Sequence, residues 1–182
     1  MHAAIFEAVL DSVNDGATLS SLSLVTLAQE TGISRNSIYR RWTSKNQIYS
    51  DVLKSMRRQM PDLNEQSARE NLIELLIVTR DGYEQRERRM QRAIVAEEQN
   101  FSDLYEQYLA EIVAPLQTAM NIAIRRGKET GEIRTDVDEE LLSGILISFA
   151  SSRTVSTTTG PPEFASASRR FVDLVFDGVA PT

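Results

Sequence analysis

Apolar residues recur at helical spacing through almost all of this sequence, and no stretch alternates apolar and polar residues long enough to argue for a strand. In residues 3–14, Ile5, Val9 and Val13 form one stripe, Phe6 and Leu10 lie beside it, and Gly16 stops the helix. The same spacing predicts a short helix over 24–30, with Leu24, Leu27 and Ala28 on one face and Ser23 as N-cap. Ser34 is the expected cap of a third helix, about Arg35 to Arg41. Ser44-Lys45-Asn46-Gln47 has the form of a capping box and opens a fourth, which Pro61 closes. Longer helices are predicted over 65–81, 84–98, 102–129, 138–154 and 163–177. Pro115 lies inside the 102–129 helix and should kink or divide it, because proline removes an intrahelical hydrogen bond and crowds the preceding turn. The fold class expected is all-α. The Thr/Ser/Gly/Pro-rich stretch from Thr154 to Pro162 is expected to be an exposed, mobile loop.

Composition removes several kinds of chemistry. The chain has no cysteine, which excludes disulfides, thiolate metal sites and cysteine nucleophiles. Its one histidine, His2, is near a terminus expected to fray, so histidine catalysis and zinc ligation are not expected. No apolar run reaches the ~18 residues of a membrane helix, and the N-terminus does not read as a signal peptide. The expectation is a cytoplasmic protein with no membrane partner and no cofactor.

Charge is distributed unevenly. The net charge is −6, yet residues 1–60 carry seven basic side chains against five acidic ones, and the remainder thirteen against twenty-one. A basic segment on an acidic body suggests an anionic partner for that segment alone; chance clustering on solvated helix faces is the alternative.

Residues 23–45 hold the most informative motif. Two short helices meet at a tight turn containing Gly32, with Ala28 small where the helices approach and Ile33 and Ile38 able to plug the space between them. This is helix-turn-helix geometry. It leaves Arg35, Asn36, Ser37, Tyr39 and Arg40 free to face outward. A helix entering the major groove reads base edges with residues near its N-terminus. Arg and Asn suit that work because each can make two hydrogen bonds to one purine. Tyr39, Arg40 and Lys45 are long donors able to reach phosphates, and the N-terminus of the fourth helix adds partial positive charge.

The runs Leu27-Ala28-Gln29-Glu30-Thr31-Gly32-Ile33-Ser34, Ser37-Ile38-Tyr39-Arg40-Arg41-Trp42 and Ser44-Lys45 resemble the DNA-binding domain of the TetR family of bacterial transcription regulators. More loosely, Gly131 to Asp138 resembles the turn before that family's penultimate helix, and Phe171 to Phe176 its closing helix. The resemblance covers the chain and is specific over residues 5–50. It implies a nine-helix, all-α homodimer with a helix-turn-helix domain at 1–45, a linking helix at 46–60 and a ligand-binding and dimerisation domain at 61–182. It also implies that Ser34 caps the recognition helix, that Tyr39 and Lys45 bind phosphate, and that Arg35, Asn36 and Arg40 contact bases or phosphates. Val25 departs from a position often polar in the family, and the basic arm that many members carry before the first helix is not seen here.

The implied partners are a double-stranded DNA operator, a second copy of the chain, and an unidentified small-molecule effector of apolar or aromatic character. Tyr83, Met90, Tyr105, Tyr108, Ile112, Leu116, Met120 and Phe149 are candidate pocket residues, because aromatics and methionines shape adaptable cavities; a filled core is the alternative. Leu141, Gly144, Ile145, Ser148 and Ser152, with Phe164, Phe171 and Val175, are candidates for the dimer contact. Burial of both helices in the chain's own core would replace it.

The function expected is a ligand-responsive regulator, a repressor released from a palindromic operator whose half-sites lie about 34–36 Å apart. A helical dimer of the same fold acting as an interaction protein without DNA binding is the alternative. No nucleophile–base pair or phosphate-cradling loop supports an enzyme. Trp42 is expected to pack rather than stack on a base, and Tyr39 could instead be a core tyrosine. Arg86, Arg88, Arg89 and Arg92 read as an ion-paired face with Glu84, Glu87, Glu97 and Glu98. Asp136, Asp138, Glu139 and Glu140 read as a helix N-cap rather than a metal cluster.

Overall fold

The computed structural model describes residues 1–63, 67–81, 83–151 and 161–179. Every regular element among them is helical: α1 (His2–Asn14), α2 (Leu24–Thr31), α3 (Arg35–Arg41), α4 (Lys45–Ser55), α5 (Ala68–Asp81), α6 (Gln85–Ala96), α7 (Ser102–Tyr108), a π-helical turn (Leu109–Val113), α8 (Ala114–Thr130), α9 (Glu139–Ser151) and α10 (Pro161–Val179). Because α7, the π-turn and α8 are continuous, the described residues form nine helical rods, the all-α fold expected from the periodicity. None is long and apolar enough to cross a membrane. The stretch Thr154–Gly160 and Ser152 lie outside the described residues, and Pro161 and Pro162 open α10.

The helix ends follow their sequence signals. Ser23, Ser34 and Ser44 each accept a hydrogen bond from the backbone N–H three residues on, at 3.0, 3.2 and 3.4 Å. Asp138 accepts from the Leu141 N–H at 2.9 Å, as the capping reading required. The π-turn shows how the chain accommodates Pro115. With no N–H to give to Glu111, Pro115 breaks the α-helical ladder, and the wider π-turn just before it keeps the rod continuous. The fourth helix ends at Ser55, short of Pro61, with the buried Met56 as its C-cap continuing the apolar row Ile48, Val52 and Leu53.

The chain forms two compact units that are not contiguous in sequence. The first comprises Met1–Arg57 and Tyr83–Ile112. Its core includes Ile5, Val9, Leu27, Ile38, Trp42 and Tyr49, joined by Met90 and Ile94 of α6. The second comprises Arg58–Gly82 and Val113–Thr182. There α5 packs against α8, α9 and α10, and Leu72, Leu76, Met120 and Leu146 lie in the core. Gly127 of α8 faces Ala68 and Ile133 so closely that a Cβ would lie 2.7 Å from the Ala68 Cβ.

One candidate dimer residue takes another place. Phe164 is fully buried, and the half-buried Phe171 stacks on Phe149 with ring centroids 4.0 Å apart. Phe149 also stacks on Phe164 at 6.1 Å, so the three rings make one layer of the second core and leave Phe164 nothing to offer a partner. Val175 is half-buried against the same core. On α9, Leu141, Ile145 and Ser148 are exposed and Gly144 has open space around it; on α10, Leu174 is 72% exposed.

Candidate nucleic-acid interface

Helices α2 and α3 are joined by a turn that only a left-handed residue closes cheaply. Gly32 takes φ +68°, ends α2 and sends the chain through Ile33 to the Ser34 cap of α3. Leu27 and Ala28 of α2 and Ile38 of α3 are buried between the helices, Ile38 completely. With Ile38 pointing inward, its neighbours in α3 are forced outward. Arg35, Asn36, Arg40 and Arg41 are exposed, Tyr39 is 49% exposed, and Ser37 is half-buried. Tyr39 is therefore not a core tyrosine. Ser34 and Ser37 share a hydroxyl–hydroxyl hydrogen bond of 2.8 Å in addition to the cap, which commits both to shaping the helix start.

Trp42 closes α3 from below. It is buried, its indole N–H donates to Asp51 Oδ2 at 2.9 Å, and it makes a T-shaped contact with the His2 ring at 5.3 Å between centroids. The packing role expected for it holds. That hydrogen bond, aided by Lys54, holds the Asp51 carboxyl below its ordinary range against the opposing effect of burial.

Lys45 departs from the phosphate role that the resemblance implied. Its half-buried side chain turns inward, and Nζ donates to the carbonyls of Leu19 at 3.0 Å, Ser20 at 2.8 Å and Leu22 at 3.5 Å. An ammonium has three donors, and these carbonyls use them. The exposed face therefore brings together Arg35, Asn36, Tyr39 and Arg40 without the Lys45 ammonium.

Arg86 and Arg89 of α6 tie that helix to α1, and Arg86 also makes the ion pair with Glu84 that the sequence reading expected. Arg86 bridges Glu84 of its own segment with Glu7 and Asp11 of α1, and Arg89 donates to the Asn14 carbonyl at 2.8 Å. Glu84 and Glu87 form a capping box at the start of α6. The partners on α1 were not foreseeable from i to i+4 spacing.

The candidate effector residues divide between the units. Tyr83, Met90, Tyr105, Tyr108 and Ile112 belong to the first, and Leu116, Met120 and Phe149 to the second. Met90 and Met120 are fully buried. Tyr105 and Tyr108 stack at 6.4 Å, and burial, with Tyr83 and Tyr105 beside it, pushes the Tyr108 phenol up to about 12. A cleft of about 670 Å³ does exist in the first unit, lined by residues that include Ser12 and the acids Glu7, Asp11, Asp15 and Glu30, but none of the candidates lines it. Among the described residues no cluster of three or more acids or histidines is placed to hold a metal. Glu139 is instead paired with Arg125 and Lys128, at 3.2 and 3.3 Å.

Comparison with known proteins identifies the family and agrees with the fold. Residues 61–175 match the family described as tetracyclin repressor-like, C-terminal domain. No curated protein matches the chain by sequence. Among solved structures the fold is similar to that of GusR from Salmonella enterica, with 17% identity, 97% of this chain and 95% of that chain covered, and a TM-score of 0.67. The ketosteroid transcriptional regulator of Mycobacterium tuberculosis gives 16% identity, covers 100% of this chain and 95% of that chain, and has a TM-score of 0.67. The transcriptional regulator FadR of Bacillus subtilis, solved in complex with stearoyl-CoA, gives 13% identity, covers 98% of this chain and 100% of that chain, and has a TM-score of 0.64.

Proposed function

The chain belongs to the tetracyclin repressor-like (TetR) family of transcription regulators, and from that premise we propose that it is a repressor released from a palindromic operator by a small molecule. The family is one of regulators, not enzymes. The observation that carries the reading is the outward set Arg35, Asn36, Tyr39 and Arg40 around the buried Ile38. Arg35 and Asn36 occupy the first turn of α3, where a recognition helix meets base edges. Tyr39 and Arg40, one turn later, have the reach for phosphate oxygens.

In this reading residues 1–45 make the DNA contacts, 46–60 link, and 61–182 provide the effector and dimer functions. Dimerisation is supported by Leu141, Ile145 and Ser148, exposed on one face of α9, and by the exposed Leu174 of α10. A two-fold contact between such faces would cover apolar area that a lone chain leaves in water. An apolar or aromatic effector suits the tyrosine and methionine content of the chain, with the Tyr83 and Tyr108 phenols as its polar handles. The long-chain acyl ligand of the Bacillus subtilis relative belongs to the same chemical range. Release requires that the effector favour the state unable to span both half-sites.

A gel-shift comparison of the wild type with the double variant Arg35→Ala/Asn36→Ala tests the DNA-binding reading. The wild type should prefer its operator over an unrelated duplex, and the variant should lose that preference. A wild type that shifts no duplex at low salt would overturn the reading in favour of an interaction protein.

A further inference from the structure

The loop between α1 and α2 is held from two sides by charged groups of opposite sign. On its N–H side, the Glu97 carboxylate accepts from the backbone of Leu19 at 2.6 Å and of Ser20 at 3.0 Å, and from the Ser20 hydroxyl. On its carbonyl side, Lys45 Nζ donates to Leu19, Ser20 and Leu22, and the Tyr49 hydroxyl donates to Leu19 at 2.8 Å. Hydrogen bonds from or to an ionised group are roughly twice as strong as neutral ones. The Lys45 ammonium also lies over the Phe101 ring, 5.4 Å from its centre, a cation–π contact that favours its inward position. Burial pushes the Tyr49 phenol up, and the Glu97 charge adds to the shift.

The positions of these residues along the chain give the arrangement its meaning. Leu22 precedes the N-cap of α2, and Lys45 is the first residue after the N-cap of α4. The bonds from Lys45 to Ser20 and Leu22 therefore tie together the two chain ends of the segment that contains α2, the turn and α3. Glu97, the C-cap residue of α6, grips the same loop from outside that segment. The face that would meet DNA is on α3, and neither Glu97 nor Lys45 is on it.

We propose that Glu97 and Lys45 are positioning residues for DNA binding, which fix the α2–α3 pair by clamping the Leu19–Leu22 loop and contact no DNA themselves. The proposal rests on the DNA-binding reading above. It assigns Lys45 a role distinguishable from phosphate binding, since a lysine that neutralises a phosphate releases counterions and one that bonds to backbone carbonyls does not.

The test uses the full-length chain and a duplex selected by the wild type. Glu97→Ala and Lys45→Met should each weaken binding about tenfold, with the slope of log affinity against log salt unchanged; a lost phosphate contact would lower that slope by about one. Glu97→Gln, which keeps one acceptor oxygen, should recover part of the loss. Amide exchange in the free protein separates the clamp from general destabilisation. In Glu97→Ala the Leu19 and Ser20 amides should exchange about tenfold faster while the core amides of Ile38 and Trp42 keep their protection. Wild-type affinity in Glu97→Ala, or a lowered salt slope in Lys45→Met, would overturn the assignment. If the wild type selects no duplex, the DNA-binding reading fails and the positioning role fails with it; unchanged exchange at Leu19 and Ser20 would then show that the clamp itself is absent.

Discussion

The Trp42 indole donates to Asp51 at 2.9 Å and so ties the residue that ends α3 to the second turn of α4. The recognition helix is thereby anchored to a helix whose inner face, Ile48, Tyr49, Val52 and Leu53, is wholly buried. Trp42→Phe keeps most of the ring packing and loses the donor, and should cost about 1 kcal/mol in denaturant unfolding.

The same pair predicts a pH dependence. The Trp42 hydrogen bond lowers the Asp51 carboxyl on folding. A lowered carboxyl adds stability above its unfolded pKa of about 4, and that contribution is lost as pH falls through the lowered folded value. The stability gap between the wild type and Asp51→Ala should be full at neutral pH and shrink steadily below about pH 4. A gap that widened on acidification would contradict the assignment.

Tyr39→Phe and Arg40→Ala should weaken binding to all duplexes about equally, and Arg40→Ala should also reduce the salt slope by about one. Arg35→Ala or Asn36→Ala should instead relax preference at particular base pairs, by about 1–3 kcal/mol each. Competition binding against single-base variants of the operator separates the two patterns.

Gly127→Ala should destabilise the second unit by about 1–3 kcal/mol, because the added methyl would meet the Ala68 Cβ at 2.7 Å and the Ile133 Cδ1 at 2.8 Å. The Ile133 side chain can turn its Cδ1 away, but the Ala68 Cβ can retreat only if the start of α5 moves with it. A thermal melt compared with wild type measures it; an unchanged melting temperature would show that α8 can shift away.

Leu174→Glu and Ile145→Glu place charges on exposed apolar positions and should leave the fold intact while separating the dimer. Sedimentation at micromolar concentration should give twice the 20.4 kDa chain mass for wild type and the single-chain mass for the variants. A wild type at the single-chain mass would rule out the symmetric operator.

The helix-turn-helix was legible because its signals are local: three serine caps, one glycine in the left-handed region and one buried isoleucine whose neighbours must face out. Residues acting over long sequence separations were not. Lys45 stands in a motif that resembles phosphate binders, and its turn toward Leu19, 26 residues back, depends on a loop that spacing does not locate. Glu97 is 78 residues from Leu19 and read from sequence as one charge among several on α6. Phe164 looked surplus to the monomer because the aromatic layer with Phe149 and Phe171 forms only when α9 and α10 are packed together. Pro115 announced a break in its helix, but not that a π-turn would absorb it.

Selection of bound DNA from a random pool by the wild-type chain tests the central claim most directly. The account predicts enrichment of a palindrome with two half-sites about one helical turn apart, and loss of that sequence preference in Arg35→Ala/Asn36→Ala. A pool that stays unenriched after repeated rounds at low salt, or an Arg35→Ala/Asn36→Ala variant that enriches the same palindrome as the wild type, would contradict it.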